Sequence, residues 1–92
     1  MITERHFLGE WRQIRPDPRP ASFFTAYEAG GRLRYTIESD TVQTWEFTWR
    51  VDGDTIIVVA QRGDPMIFRF RFQSPTMLVL ERNGERSVYV RC

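Results

Sequence analysis

Turn-forming residues interrupt this chain about every ten residues, a spacing that leaves room for one short strand between breaks and for no long helix. The breaks are Pro16-Asp17-Pro18-Arg19-Pro20, Gly30-Gly31, Glu38-Ser39-Asp40, Asp52-Gly53, Arg62-Gly63-Asp64-Pro65, Ser74-Pro75 and Asn83-Gly84. They bound eight segments, 8–15, 22–28, 32–37, 43–51, 54–61, 66–73, 76–82 and 85–91, all rich in β-branched or aromatic residues. Trp45-Glu46-Phe47-Thr48-Trp49 and Phe68-Arg69-Phe70-Arg71-Phe72 alternate strictly, which is the pattern of a strand with one buried face. A one-turn helix over 3–8 is the only helical candidate. Consecutive strands joined by tight turns predict an all-β fold, an eight-stranded antiparallel up-and-down barrel whose closure removes the exposed edges of an open meander.

Asp-Gly and Asn-Gly are favoured two-residue hairpin turns, because the central residues of such a turn need positive φ. With Asp52-Gly53 central, Val51 pairs with Asp54, Trp49 with Ile56 and Phe47 with Val58. Trp45, Phe47, Trp49, Ile56, Val58 and Ala60 then share the inner face, and Ile57 and Val59 point out. With Asn83-Gly84 central, Arg82 pairs with Glu85, Leu80 with Ser87 and Leu78 with Tyr89. That hairpin carries Leu78, Leu80, Ser87, Tyr89 and Arg91 on one face and Met77, Val79, Val88 and Val90 on the other. A register shifted by one would exchange the faces and put Arg91 outside.

The chain has 92 residues, enough for one domain (1–92) with a modest core. Its basic residues, all arginine, nearly balance its acidic ones at a net charge of +1, which argues against a protein held on nucleic acid by phosphate contacts. In 68–72 the rings and the guanidiniums fall on opposite faces, so bases could not stack on the phenylalanines while phosphates met the arginines. Arg32, Arg34, Arg69 and Arg71 instead read as a solvated outer surface paired in part with Glu28 and Glu46. The single cysteine, Cys92, allows neither an internal disulfide nor a thiolate metal site. The first residues do not resemble a secretory leader and no run approaches a membrane span, so the expectation is a cytoplasmic protein with no membrane partner.

Gly9-x-Trp11, at the start of the first strand after a short turn, resembles the first-strand signature of lipocalins and the wider calycin group, and small bacterial lipocalin-like domains in particular. In that family an arginine at the end of the last barrel strand packs over the tryptophan and helps close one end. An eight-stranded meander returns its last strand to the end where the first begins, which places Arg91 beside Trp11 and Arg82 at the opposite rim. A guanidinium over an indole contributes about 0.5–2 kcal/mol. The likeness covers the chain in pattern and Gly9, Trp11 and Arg91 in identity. The chain lacks the longer sequence and the second motif of typical lipocalins, and it is read as a truncated barrel with no C-terminal helix.

The resemblance implies a non-catalytic protein that binds a small apolar ligand inside the barrel, with Tyr35, Trp45, Phe47, Trp49, Phe70 and Tyr89 lining the site and no cofactor. Tyr35, Tyr89 and Gln13 would supply the polar groups that orient a ligand. Thirteen aromatic residues in so short a barrel can equally fill it. The alternative is therefore a protein-interaction module or homodimer with a filled interior. Its interface would be the outer face of the last hairpin, Met77, Val79, Val88 and Val90, left uncovered where a lipocalin helix would lie. The 16–20 loop is a further contact candidate. Catalysis is not expected: His6 is the only histidine, so no nucleophile has a base beside it, and the carboxylate pairs Glu38/Asp40 and Asp52/Asp54 sit in turns.

Overall fold

The structure, a computed structural model, describes residues 3–92. A 3-10 turn, Glu4–His6, precedes eight strands: β1 (Gly9–Arg15), β2 (Ser22–Glu28), β3 (Arg32–Glu38), β4 (Val42–Asp52), β5 (Thr55–Val59), β6 (Met66–Ser74), β7 (Met77–Arg82) and β8 (Glu85–Arg91). Each strand pairs antiparallel with the next, and β8 returns to β1, so the sheet is a closed up-and-down barrel. Bulges interrupt the ladder between Gln13 and Arg15 on β1 and between Phe72 and Ser74 on β6.

The last hairpin has the expected register, with Arg82 opposite Glu85, Leu80 opposite Ser87 and Leu78 opposite Tyr89. Asn83 (φ 53°) and Gly84 (φ 78°) both take positive φ, as the mirror-image two-residue turn requires. The β4–β5 hairpin corrects the sequence reading. Asp52 pairs with Thr55, Val51 with Ile56 and Trp49 with Val58, so the turn is centred on Gly53-Asp54. Gly53 (φ 61°) supplies positive φ at the first central position, Asp54 does not share it, and the Thr55 hydroxyl donates to the Asp52 carbonyl at 2.7 Å. Each expected partner moves by two residues, which preserves every inner and outer assignment because strand side chains alternate with period two. Phe47 thereby loses its expected partner, and Ala60 lies beyond the strand.

The inner faces form one cluster of Phe7, Trp11, Tyr27, Leu33, Trp49, Ile56, Val58, Leu78 and Leu80, with Leu8, Tyr35, Phe47, Val51, Met66, Phe68, Phe70, Phe72 and Tyr89 packed against it. Ile57 and Val79 are buried outside this cluster, on the outer face. The outer charges pair in part as expected. Arg34 reaches Glu28 at 2.8 Å, Arg69 reaches Asp54 and Arg86 reaches Glu81, each at 3.4 Å, while Glu46 forms no ion pair among the described residues. Strand twist brings Arg34 to its diagonal neighbour in place of the residue directly opposite it.

Candidate functional site

The barrel interior divides into a packed closed end and an open mouth. At the closed end the backbone leaves the 3-10 turn and drops Phe7 into the lumen, where it is fully buried. Its ring centroid lies 5.0 Å from Phe70 and Phe72, 5.3 Å from Tyr27 and 5.7 Å from Trp49, in tilted or edge-on geometries that suit the ring quadrupoles. The Trp11 indole donates to the Phe7 carbonyl at 2.8 Å. Trp49 donates to the Glu28 and Arg32 carbonyls at 3.2 and 3.0 Å, fastening the β2–β3 turn.

Arg91 completes this end. Its guanidinium carbon lies 4.3 Å from the centre of the Trp11 ring, and its nitrogens donate to the carbonyls of Leu8 (2.6 Å), His6 (2.9 Å) and Pro75 (3.3 Å). The planar guanidinium thus joins the N-terminal turn, the β6–β7 turn and β8 while stacking on the indole of β1. Gly9 (φ 117°) makes the approach feasible: a Cβ there would stand 2.9 Å from Arg91 Nη1. Gly9, Trp11 and Arg91 are therefore one structural unit, as the resemblance implied.

The mouth holds the remaining candidate residues. Tyr35 lies 6.0 Å from Phe23 and 6.1 Å from Trp45, ring to ring, and Arg82 sits 5.8 Å over Phe68 at the rim. Trp45 occupies an inner-facing position, opposite Tyr35 on β3, yet is 42% exposed. Phe47 and Tyr89 are half-buried between mouth and core. Of the six residues expected to line a ligand site, Tyr35 and Trp45 thus lie at the mouth, Phe47 and Tyr89 between it and the core opposite Leu33 and Leu78, and Trp49 and Phe70 pack on Phe7. Gln13 directs its amide nitrogen to the Pro16 carbonyl at 2.9 Å. Burial raises the pKa values of Tyr27, Tyr35 and Tyr89; the Tyr89 hydroxyl is eased by Ser87 and opposed by Tyr35. The lumen's hydroxyls are neutral groups that can both donate and accept.

A surface depression of about 1040 Å³ lies elsewhere, open to solvent between the N-terminal turn and the β4–β5 turn, and holds only Phe70 of the expected ligand residues. A recess of about 160 Å³ at the rim is lined by Phe68, Leu80, Arg82, Asn83, Glu85 and Ser87. Among the described residues no group of three metal-ligating side chains converges, and His6 is exposed, its Nδ1 accepting from the Thr3 backbone at 3.0 Å.

On the outer face Met77 pairs with Val90 and Val79 with Val88, making the expected contiguous patch. Val79 is buried and the other three are half-buried. Arg12 stands beside Val90 and Arg71 beside Val79, positions from which arginine stems cover apolar neighbours. Phe7 escaped the sequence reading; the only signal was an apolar residue just before Gly9-x-Trp11. Compared with protein-family models, curated proteins and solved structures, the chain matches none.

Proposed function

We propose that this chain is a non-catalytic, lipocalin-like binding protein that takes one small apolar, ring-bearing or acyl molecule at the mouth of its barrel. The observation that carries the reading is Trp45, an indole that faces the lumen and yet remains 42% exposed. Phe7 and its ring neighbours occupy the closed end, so a ligand enters only to the depth of Tyr35, Phe47 and Tyr89. Those residues offer apolar faces and neutral hydroxyls, with Arg82 at the rim for an acidic headgroup. The likeness to lipocalins rests on the closed eight-stranded barrel and on the Gly9, Trp11 and Arg91 unit.

A shallow site implies modest affinity. At about 0.3 kcal/mol per non-hydrogen atom, a ligand of about 18 atoms gains roughly 5.4 kcal/mol, a Kd near 0.1 mM. The test is titration with a fluorescent fatty-acid probe, read by energy transfer from tryptophan. Saturable transfer in wild type, lost in a folded Trp45→Ala variant, supports the site. No saturable binding up to about ten times that Kd, with the protein folded, refutes it for this chemical class. The second reading, an interaction module, is favoured by a different observation on β4.

A further inference from the structure

β4 is much longer than its neighbour β5. The β4–β5 ladder ends at Thr48 opposite Val59, while β4 continues back to Val42 against β3 alone. The stretch 42–46 is therefore an open edge about 17 Å long, longer than the unpaired strand ends at 66–68 and 85–87. Strand alternation identifies its free groups. Trp49 donates its backbone N–H to Gly31 on the β3 side, so Trp49, Phe47, Trp45 and Gln43 turn their N–H and C=O toward β3. Val42, Thr44 and Glu46 turn theirs outward, and no backbone bond among the described residues reaches them on that side.

This edge lacks the usual protection. It carries no proline, and its pairing with β3 runs without a bulge from Arg32–Thr48 to Glu38–Val42. Val42, at 65% exposure, and Trp45 are two of the three large hydrophobic residues exposed among the described residues, and both belong to this stretch. Every residue expected in the last-hairpin interface is less exposed than these two.

We propose that the chain self-associates through this edge, a second copy laying its own β4 antiparallel about a two-fold axis at Thr44. The stretch is self-complementary in that register. Thr44 meets Thr44 of the partner subunit, and Val42 meets Glu46 of the partner subunit on either side, so all three outward residues exchange both backbone bonds. Glu46 is the only charged side chain on the stretch, and the register sets it against valine and away from its own copy. Gln43 of the partner subunit lies across the exposed Trp45. The pairing is short, so the dimer is a weak one, forming at high micromolar concentration.

Sedimentation equilibrium across about 10 µM to 1 mM tests it without any ligand. Wild type should rise from monomer mass toward twice that value. Thr44→Pro removes a donor that serves no internal ladder bond, and it should remain monomeric with an unchanged circular dichroism spectrum. Should that variant fail to fold, Val42→Glu, at an exposed position, sets a carboxylate against Glu46 of the partner subunit on both sides of the axis and should weaken association at least tenfold. Val88→Lys, on the outer face of the last hairpin, should leave it intact. A monomeric wild type at 1 mM overturns the proposal. So does a folded Thr44→Pro or Val42→Glu variant that dimerises like wild type, or loss of the dimer only in Val88→Lys.

Discussion

Replacing Arg91 with alanine removes a residue that touches four parts of the closed end at once. The lost terms can be sized from the geometry. The stack on Trp11 at 4.3 Å contributes about 0.5–2 kcal/mol. The bond to the Leu8 carbonyl at 2.6 Å is partly buried and charge-assisted, a class worth about 1.5–3 kcal/mol, while the His6 and Pro75 carbonyls are reached by water once the guanidinium is gone and add less. Neighbouring terms are not additive, and a net loss of about 2–4 kcal/mol is expected. In a domain of this size each kcal/mol moves Tm by about 4–8 °C, so a drop of about 8–32 °C should accompany it. Urea unfolding followed by tryptophan fluorescence measures the difference directly. Arg86→Ala is the control, since its contact with Glu81 is long and solvent-exposed and should change stability by less than about 0.5 kcal/mol. Arg91→Lys should recover less than half of the loss, because an ammonium cannot span three carbonyls and stack on the ring. If Arg91→Ala falls within about 0.5 kcal/mol of Arg86→Ala, the closed end is not held by this side chain and the reasoning fails.

Three further outcomes follow from the same packing. Phe7→Ala empties the space beneath four rings and should cost about 3–5 kcal/mol in denaturant unfolding; a loss below 1 kcal/mol would mean the plug is dispensable. Gly9→Ala places a Cβ against Arg91 at a φ of 117° and should cost about 1–3 kcal/mol while increasing acrylamide quenching of Trp11. Tyr27, Tyr35 and Tyr89 have pKa values raised by burial, so the unfolded chain ionises first: stability is full below about pH 10 and falls above it, by up to about 1.4 kcal/mol per pH unit for the buried Tyr27 and by less for the half-buried Tyr35 and Tyr89. Tyrosinate absorbance should then rise together with unfolding, and all three tyrosines titrating near pH 10 with the fold intact would contradict the burial of Tyr27.

The barrel was legible in the sequence because turn residues and period-two alternation act locally. Asn83-Gly84 fixed a register, and Gly9, Trp11 and Arg91 came together because a meander of eight strands must return to its starting end. Asp52-Gly53-Asp54 was ambiguous in a way propensity does not resolve, since glycine can occupy either central position of a two-residue turn. That slip decided where β5 ends, and with it the open half of β4. Depth along the barrel was equally hidden. Trp45, Trp49, Tyr35 and Phe70 share one face in the alternation pattern, and only the long-range placement of Phe7 separates the packed rings from those at the mouth.

The three tryptophans report separately on the two ends, Trp11 and Trp49 beneath the mouth and Trp45 within it. Recording their indole N–H resonances while adding a fatty acid of about 18 non-hydrogen atoms tests the binding reading most directly. The expected result is a saturable shift of the Trp45 signal, with those of Trp11 and Trp49 held in place by their bonds to Phe7, Glu28 and Arg32. A Trp45 resonance that stays fixed up to about 1 mM ligand, some ten times the affinity worked out for a shallow site, would contradict it.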